Sequence, residues 1–297
     1  MRVIAVVVHW RDIAETRGCL EALAAAGVEA LVVDNGSPEP LGPAFDAKAN
    51  AVRSPVNLGY AGGANLGIRA ARERGADAVL LLNNDARVHV GANAAACEVL
   101  EADGRVGVVG AKVLTRGDPT RLWLAWGDVT YRQSLVELRG ANAPDGPPFD
   151  RERDVPWVAG CAMWLRMRAL DAVGLFDERF FAYHEEVDWC VRAWRGGWRV
   201  VYSPQVVVTH TGRGSDGTEA SIRVRKYFAA RNAVLYAQKH ASALERVKLA
   251  CFVGASLPLE LLLHLLSGGA PAVLLKMRGV RDALSGRRPP FEALGLR

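Results

Sequence analysis

The chain has 297 residues, half of them hydrophobic and 23% charged, with a formal net charge of +5; that suffices for one large α/β domain with an appendage. Five scattered cysteines (Cys19, Cys97, Cys161, Cys190 and Cys251) without CxxC spacing argue against a disulfide framework or a structural zinc site and point to a reducing cytosol. The apolar run over residues 3–8 is too short for a secretory signal, and His9-Trp10-Arg11-Asp12 follows it rather than a small-residue cleavage site.

Residues 3–8 form a continuous β-branched run, as expected of a strand buried on both faces. Residues 12–26 read as a helix stopped by Gly27. A second strand over 30–33 ends at Asp34-Asn35-Gly36-Ser37, and a short strand is predicted at 51–54. The glycine-rich segment 59–63 leads into a helix over 64–74 that Gly75 stops. A strand over 78–82 ends at Asn83-Asn84-Asp85, followed by a helix over 91–102 and a strand over 106–110. This alternation predicts a Rossmann-like α/β fold, a mostly parallel sheet with helices on both faces.

Residues 115–156 break the pattern. Gly117-Asp118-Pro119 and Asp145-Gly146-Pro147-Pro148 mark turns, and the stretch reads as a loop-rich excursion, a flap. Apolar strands return over 157–210 with an acidic helix at 185–192, and the chain beyond 220 reads as helical. The apolar stretch 249–266 is interrupted by Pro258, Glu260 and His264. It fits an interfacial helix pair better than a membrane span, with a plain packed hairpin as the equal alternative. From residue 241 onward eight Lys/Arg face four Asp/Glu. An acidic membrane face would attract such a segment by about 1 kcal/mol per nearby basic residue; a solvated basic surface is the plainer reading. No nucleic-acid motif accompanies the charge, so no nucleic-acid partner is expected.

Polar groups collect at the carboxyl ends of the strands, where open α/β sheets bind ligands. A carboxylate such as Asp85 at a strand end can hold Mg²⁺ or Mn²⁺ against substrate phosphates, or simply close a polar turn. Glycines at 59, 62 and 63 let backbone approach a ligand ahead of a helix N-terminus that attracts phosphate, or make a tight turn. The segment is not G-x-G-x-x-G and no Walker sequence occurs, which argues against a dehydrogenase or an ATPase. In the block 174–192 acidic residues gather beside aromatics. On a helix Glu185 and Asp188 share a face, Asp188 can pair with Arg192, and Glu186 points elsewhere. Carboxylates crowded against aromatic walls have raised pKa values that suit a general base, although acidic residues also complement a solvated helix start. His210 ends an apolar strand and is either a metal ligand or a satisfied strand-end histidine. The stretch from Arg213 to Arg231 could close over a diphosphate.

Taken in order, Val32-Val33-Asp34-Asn35-Gly36-Ser37, Asn57-Leu58-Gly59-Tyr60-Ala61-Gly62-Gly63-Ala64-Asn65, Leu81-Leu82-Asn83-Asn84-Asp85, Val158-Ala159-Gly160-Cys161-Ala162-Met163, the block 174–192 and His210 resemble the inverting family 2 glycosyltransferases of the GT-A fold, near their rhamnosyltransferase-like branch. The resemblance covers residues 1–235. It implies a nucleotide-sugar half at 1–114, an acceptor-side half at 115–235 and a helical extension at 236–297. Asp34 then contacts the nucleotide base, with Asn35 and Ser37 beside it, and Asn57, Gly59, Gly62, Gly63 and Asn65 line the nucleotide-sugar pocket. Asn83-Asn84-Asp85 matches the DxD element with Asn in first place, leaving Asp85 as the carboxylate for Mg²⁺ or Mn²⁺ and His210 as its companion ligand.

The family's Glu-Asp pair falls on Glu185-Glu186, which makes Glu186 the preferred base. Here Glu replaces Asp, and one extra methylene exceeds the roughly half-ångström tolerance of a catalytic group, so Glu185 and Asp188 remain alternatives. The implied reaction is a single displacement from a dTDP- or UDP-linked sugar, rhamnose favoured, to a hydroxyl of a glycan or lipid-linked acceptor in cell-surface polysaccharide synthesis. The expected location is the cytoplasm or, peripherally, the inner face of the cell membrane. Two other readings compete. A catalytically silent nucleotide-sugar-binding subunit of a polysaccharide assembly complex would suit Asn83 and Glu186, but not the retention of Asp85 and His210. A nucleotidyltransferase wants a glycine-rich loop after the first strand, where this chain has His9-Trp10-Arg11-Asp12.

Overall fold

The computed structural model describes residues 1–39, 41–42, 50–132, 135–211, 219–265 and 270–296. The first part runs β1 (Val3–His9), α1 (Ile13–Ala25), β2 (Glu29–Asn35), β3 (Val52–Ser54), α2 (Gly59–Glu73), β4 (Ala78–Asn83), β5 (Ala86–Val88), α3 (Ala92–Ala102) and β6 (Val106–Thr115). β1 is buried along almost its whole length, as its valine run requires of a central strand. The Asp12 carboxylate caps α1 by accepting from the Glu15 N–H at 3.0 Å.

α2 starts at Gly59, five residues before the helix expected at 64, so most of the glycine-rich segment is helix rather than loop. A Cβ at Gly67 would stand 2.2 Å from Val6 Cγ1, and one at Gly63 would stand 2.9 Å from Val8 Cγ1. Glycine is a poor helix former, but here it lets the helix axis settle against β1, and that packing outweighs propensity.

Residues 115–156 are not the expected loop. They hold β7 (Asp118–Leu124), β8 (Trp126–Val129), β9 (Val136–Arg139) and β10 (Arg153–Asp154), and β11 (Trp157–Val158) follows. β11, β8 and β9 form a separate antiparallel sheet. β9 is mostly exposed and polar, which hides the alternation that marks a strand. Gly127 of β8 lies flat under the Trp157 ring, where a Cβ would come within 1.9 Å of the indole.

The chain then forms β12 (Ala162–Arg166), α4 (Met167–Val173), a 3₁₀ turn (Glu178–Phe180), α5 (Glu185–Arg195) and β13 (Arg199–His210). The main sheet runs β10-β13-β6-β12-β4-β1-β2-β3, with β5 added to β13 and β7 to β6. β4, β1, β2 and β3 are mutually parallel, as the alternating pattern predicts. β12 enters antiparallel between β4 and β6, so the whole sheet is mixed.

Three helices complete the chain: α6 (Glu219–His240), α7 (Ala243–Leu265) and α8 (Ala270–Leu284). α8 lies close against α6, because Gly279 leaves room for the Tyr227 carbonyl, and the Tyr227 hydroxyl donates to Asp282 at 3.0 Å. A small second core of Phe181, Tyr227, Phe228, Leu294 and Leu296 ties this extension to the segment that leads into α5.

Candidate active site

The turn after β4 carries Asn84 and Asp85, and β5 then pairs with the end of β13 so that Ala86 stands opposite His210. This register brings Asp85 Oδ1 to 3.0 Å from His210 Nε2. The Thr211 hydroxyl donates to the other carboxylate oxygen, Asn83 Nδ2 lies 3.5 Å from His210 Nε2, and Trp123 packs edge-on against the imidazole. Burial pushes the Asp85 carboxyl up, but hydrogen bonds from His210 and Thr211 and the imidazole charge outweigh it and hold it below the usual carboxylate range. Asp85 is therefore held as a carboxylate anion. Among the described residues no cluster of three or more His, Cys, Asp or Glu side chains forms a closed metal cage. One carboxylate and one imidazole still fit Mn²⁺ or Mg²⁺, ions that take their remaining ligands from phosphate and water.

At the neighbouring strand end, Asp34 is buried. Its Oδ1 accepts the Ser37 N–H at 3.0 Å, an Asx turn, and its Oδ2 lies 3.6 Å from Arg53 Nε. Ser37 Oγ accepts from the Arg11 N–H at 3.2 Å. The asparagines picked out from the sequence are largely committed to protein groups. Asn35 donates to the Gly59 carbonyl and to Asn57 Oδ1 and accepts from the Leu58 N–H. Asn57 Oδ1 accepts from the Gly59 N–H. Asn65 bridges the backbone of Phe176 and the side chain of Glu178, and Asn84 donates to Thr16 Oγ1 at 3.2 Å. Gly63 faces β1 and Asn35, and a side chain at Gly62 would meet Leu58, so these two glycines do not open backbone to a ligand as expected. Gly59 is needed for another reason: its φ is +73°, and a Cβ there would sit 2.4 Å from the Phe181 carbonyl oxygen.

That carbonyl belongs to the segment that launches the acidic helix. Phe181, Tyr183 and His184 all have φ between 63° and 69°, a left-handed conformation that costs non-glycine residues about 1–3 kcal/mol each. Two elements hold it. The Ala61 N–H of α2 donates to the Phe181 carbonyl at 3.1 Å. Asn232 of α6 points its amide at the carbonyls of Phe180, Ala182 and Tyr183, at 2.8, 2.7 and 2.8 Å. Nothing local in the sequence marks Asn232, because its partners lie far back in the chain.

α5 then begins with Glu185 and Glu186. One carboxylate oxygen of each is buried with no hydrogen-bond partner. Burial, followed by the charges of Glu186 and Asp188, pushes the Glu185 carboxyl well above its usual value. Burial pushes Glu186 up to about 7 against the pull of backbone amides. Glu186 lies over Gly160, where a Cβ would stand 3.4 Å from its own Cβ. The Gly160 carbonyl accepts from Tyr60 at 3.0 Å, and the Cys161 carbonyl accepts from the Asn83 N–H at 3.0 Å. Residues 160–161 therefore join the acidic helix to the Asp85 edge. The Cys161 thiol, raised mainly by burial, also feels both Asp85 and Glu186.

Asp188 is different. It is fully buried, and Arg192 Nε, Lys239 Nζ and His240 Nε2 lie 2.9, 2.7 and 2.6 Å from its carboxylate. Burial raises its carboxyl, but the His240 hydrogen bond, the Arg192 charge and the hydrogen bonds of Lys239 and Arg192 outweigh it and keep the carboxyl below the usual range. The expected i,i+4 pair with Arg192 is present, but Lys239 and His240 come from α6, and together they bolt α5 to that helix.

Arg213 lies outside the described residues. Arg231 is buried and donates to the Arg179 carbonyl and to Asn232 Oδ1, so it braces the same loop instead of reaching for a diphosphate. An open cavity of about 570 Å³ lined by Trp126, Arg139, Phe149 and Arg153 lies beside the small sheet and contains none of these residues.

Residues 3–233 match the family described as Glycosyltransferase like family 2. An N-acetylglucosaminyl-diphospho-decaprenol L-rhamnosyltransferase of Mycobacterium tuberculosis is 30% identical over 221 residues, which cover 65% of this chain and 69% of that protein. Among solved structures, the mannosyltransferase PcManGT from Pyrobaculum calidifontis, in complex with GDP-Man and Mn²⁺, aligns with a TM-score of 0.58 at 19% identity over 99% of this chain and 78% of its own. GalNAc-T7 with UDP, GalNAc and Mn²⁺ aligns with a TM-score of 0.60 at 14% identity over 84% of this chain and 53% of its own. At such identities the two structures speak for the fold, whereas the family match covers most of the chain: it belongs to the glycosyltransferase-like family 2 and is a nucleotide-sugar-dependent glycosyltransferase.

Proposed function

We propose that this enzyme transfers rhamnose from a dTDP- or UDP-linked donor, with inversion, to a hydroxyl of a glycan or lipid-linked acceptor in cell-surface polysaccharide synthesis. The observation that carries the reading is Glu186, a carboxyl raised to about 7 with one unpartnered oxygen, one short segment away from the Asp85–His210 pair. The named activity of the mycobacterial relative supports both the sugar and a polyprenyl-diphosphate-linked acceptor. Residues 1–114 form the donor half, residues 115–235 the acceptor half and residues 236–297 the helical extension. With its five free cysteines the enzyme works in the cytoplasm, peripherally at the inner face of the membrane.

Asp34 and Ser37 meet the nucleoside, and Asn35, Asn57, Gly59, Asn65, Asn83 and Asn84 hold that edge in shape. Asp85 and His210 would hold Mn²⁺ or Mg²⁺, which would supply Lewis-acid compensation of the diphosphate charge. Glu186 takes the proton from the acceptor hydroxyl while that hydroxyl's oxygen bonds to the anomeric carbon from the face opposite the leaving group. The bond to the diphosphate breaks, and its electrons leave with the phosphate oxygen. Glu185, pushed by burial toward its neutral form, limits the negative charge beside the base. Asp188 positions the helix.

A panel of dTDP-, UDP- and GDP-sugars with Mn²⁺, read first by thermal shift, tests the donor, because a ligand that binds the folded state raises apparent stability. The expected result is the largest shift with dTDP-rhamnose and transfer to a polyprenyl-diphosphate-linked sugar with inverted anomeric configuration. If no nucleotide sugar shifts the transition or is turned over, the proposal fails. A different donor turned over with inversion would overturn rhamnose alone.

A further inference from the structure

The transfer chemistry makes no use of α7. This helix is long and apolar enough to cross a membrane, yet only 11% of its most apolar stretch is buried. Leu249 and Leu257 pack inward, whereas Leu259, Leu262, Leu263 and Leu265 are more than half exposed, and α8 adds Leu274 and Leu284. An exposed apolar surface of this extent marks an interaction site. Within residues 249–265 Glu260 is the only formally charged side chain, and Lys276 of α8 pairs with it at 2.6 and 2.8 Å. The apolar face therefore carries no net charge.

Its flanks are basic. Arg246 and Lys248 open α7, Arg287 and Arg288 follow α8, and all four residues are exposed. An apolar face with a cationic margin complements an anionic phospholipid surface, where leucines enter the acyl boundary and Arg and Lys meet head groups. The hairpin lies on such a surface and does not cross it. α8 has 15 residues, too few for the roughly 20 that a span needs, and α7 is interrupted by Pro258 and the Glu260–Lys276 pair. A second copy of the chain offers no such match, since it would set one basic margin against another.

We propose that the α7–α8 hairpin is an interfacial docking surface for anionic phospholipid bilayers. It deepens the lipid-linked-acceptor reading, because α8 packs on α6, and Asn232 of α6 holds the carbonyls that lead into Glu185. A single helix, α6, thus connects the docking face to the segment that leads into the acidic cluster.

The test is co-sedimentation of the full chain with phosphatidylglycerol–phosphatidylcholine vesicles and with phosphatidylcholine vesicles. Two variants accompany it, Leu259→Glu/Leu262→Glu/Leu263→Glu and Arg287→Ala/Arg288→Ala, each checked for a wild-type thermal transition. The wild type should bind the anionic vesicles and lose binding at high salt. The leucine variant should bind at least tenfold more weakly, and the arginine variant should weaken binding to anionic vesicles alone. Absence of wild-type binding to either vesicle, or wild-type binding by the leucine variant, would overturn the proposal. So would a wild-type dimer in sedimentation equilibrium that the leucine variant dissociates, since the face would then belong to a second copy. Transfer to a short soluble acceptor separates the two readings. The leucine variant should retain it and lose transfer to a vesicle-borne acceptor. Wild-type docking without use of any lipid-linked acceptor would sink the acceptor reading and leave the docking surface standing.

Discussion

Glu185 and Glu186 occupy the same first turn of α5, and burial raises both carboxyls. Glu186 is raised to about 7 from an ordinary 4.5, so near neutral pH it can both accept and release a proton, as a general base must. We expect kcat/KM to climb about tenfold per pH unit up to roughly 7 and then level. Glu186→Gln should lower turnover roughly 10²–10⁴-fold with donor affinity unchanged by calorimetry. Linkage supplies a second readout. Between pH 4.5 and about 7 the folded chain keeps a proton on Glu186 that the unfolded chain has lost, so its contribution to stability falls as pH rises through that window. The Gln variant should therefore melt a few degrees higher than wild type at pH 8 and level with it near pH 4.5. A flat pH profile, or turnover retained by the variant, would move the base elsewhere.

Elements fix what residues alone leave open. Asp188 shares a helical face with Glu185 and by sequence is an alternative to Glu186 as the base. In the fold it is fully buried among Arg192, Lys239 and His240, and its carboxyl lies below the ordinary 3.8. Its stabilisation is present above that value and fades as pH falls below it. Asp188→Asn leaves Arg192, Lys239 and His240 without their shared carboxylate and should cost about 1.5–3 kcal/mol, read as a lowered urea midpoint. Wild-type stability combined with lost turnover would instead identify Asp188 as the base. The glycine run of α2 teaches a related lesson. Its residues were legible as special, but a turn, a ligand cradle and a close helix–sheet contact all demand missing Cβ atoms. The partner surface, here Val6, Val8 and Phe181, decides among them.

At the scale of the molecule, topology makes the Asp85–His210 pair. Asp85 follows β4 and His210 ends β13, and they meet only because β5 folds back onto β13. If that pair holds a divalent ion against the donor diphosphate, chelation by EDTA or the change Asp85→Ala should lower donor affinity at least tenfold, about 1.4 kcal/mol. Calorimetry with equal affinity in the presence and absence of metal would refute the role. The same long-range logic governs the acidic helix, whose strained approach is clamped from α2 on one side and from α6 on the other.

The linear chain determined the alternation of strands and helices from β1 to β6 apart from β5, the polar strand ends and the position of the acidic helix. Each follows from periodicity, capping or turn chemistry within a few residues. Tertiary structure decided that β12 enters antiparallel, that 115–156 is sheet rather than flap, and that Asp188 is a lock while Glu186 keeps an unpartnered oxygen. It also recruited Asn232, which no local pattern announces. These outcomes depend on which distant surfaces share a boundary, and burial and unsatisfied hydrogen bonds, the forces that set pKa values here, exist only once those surfaces have met.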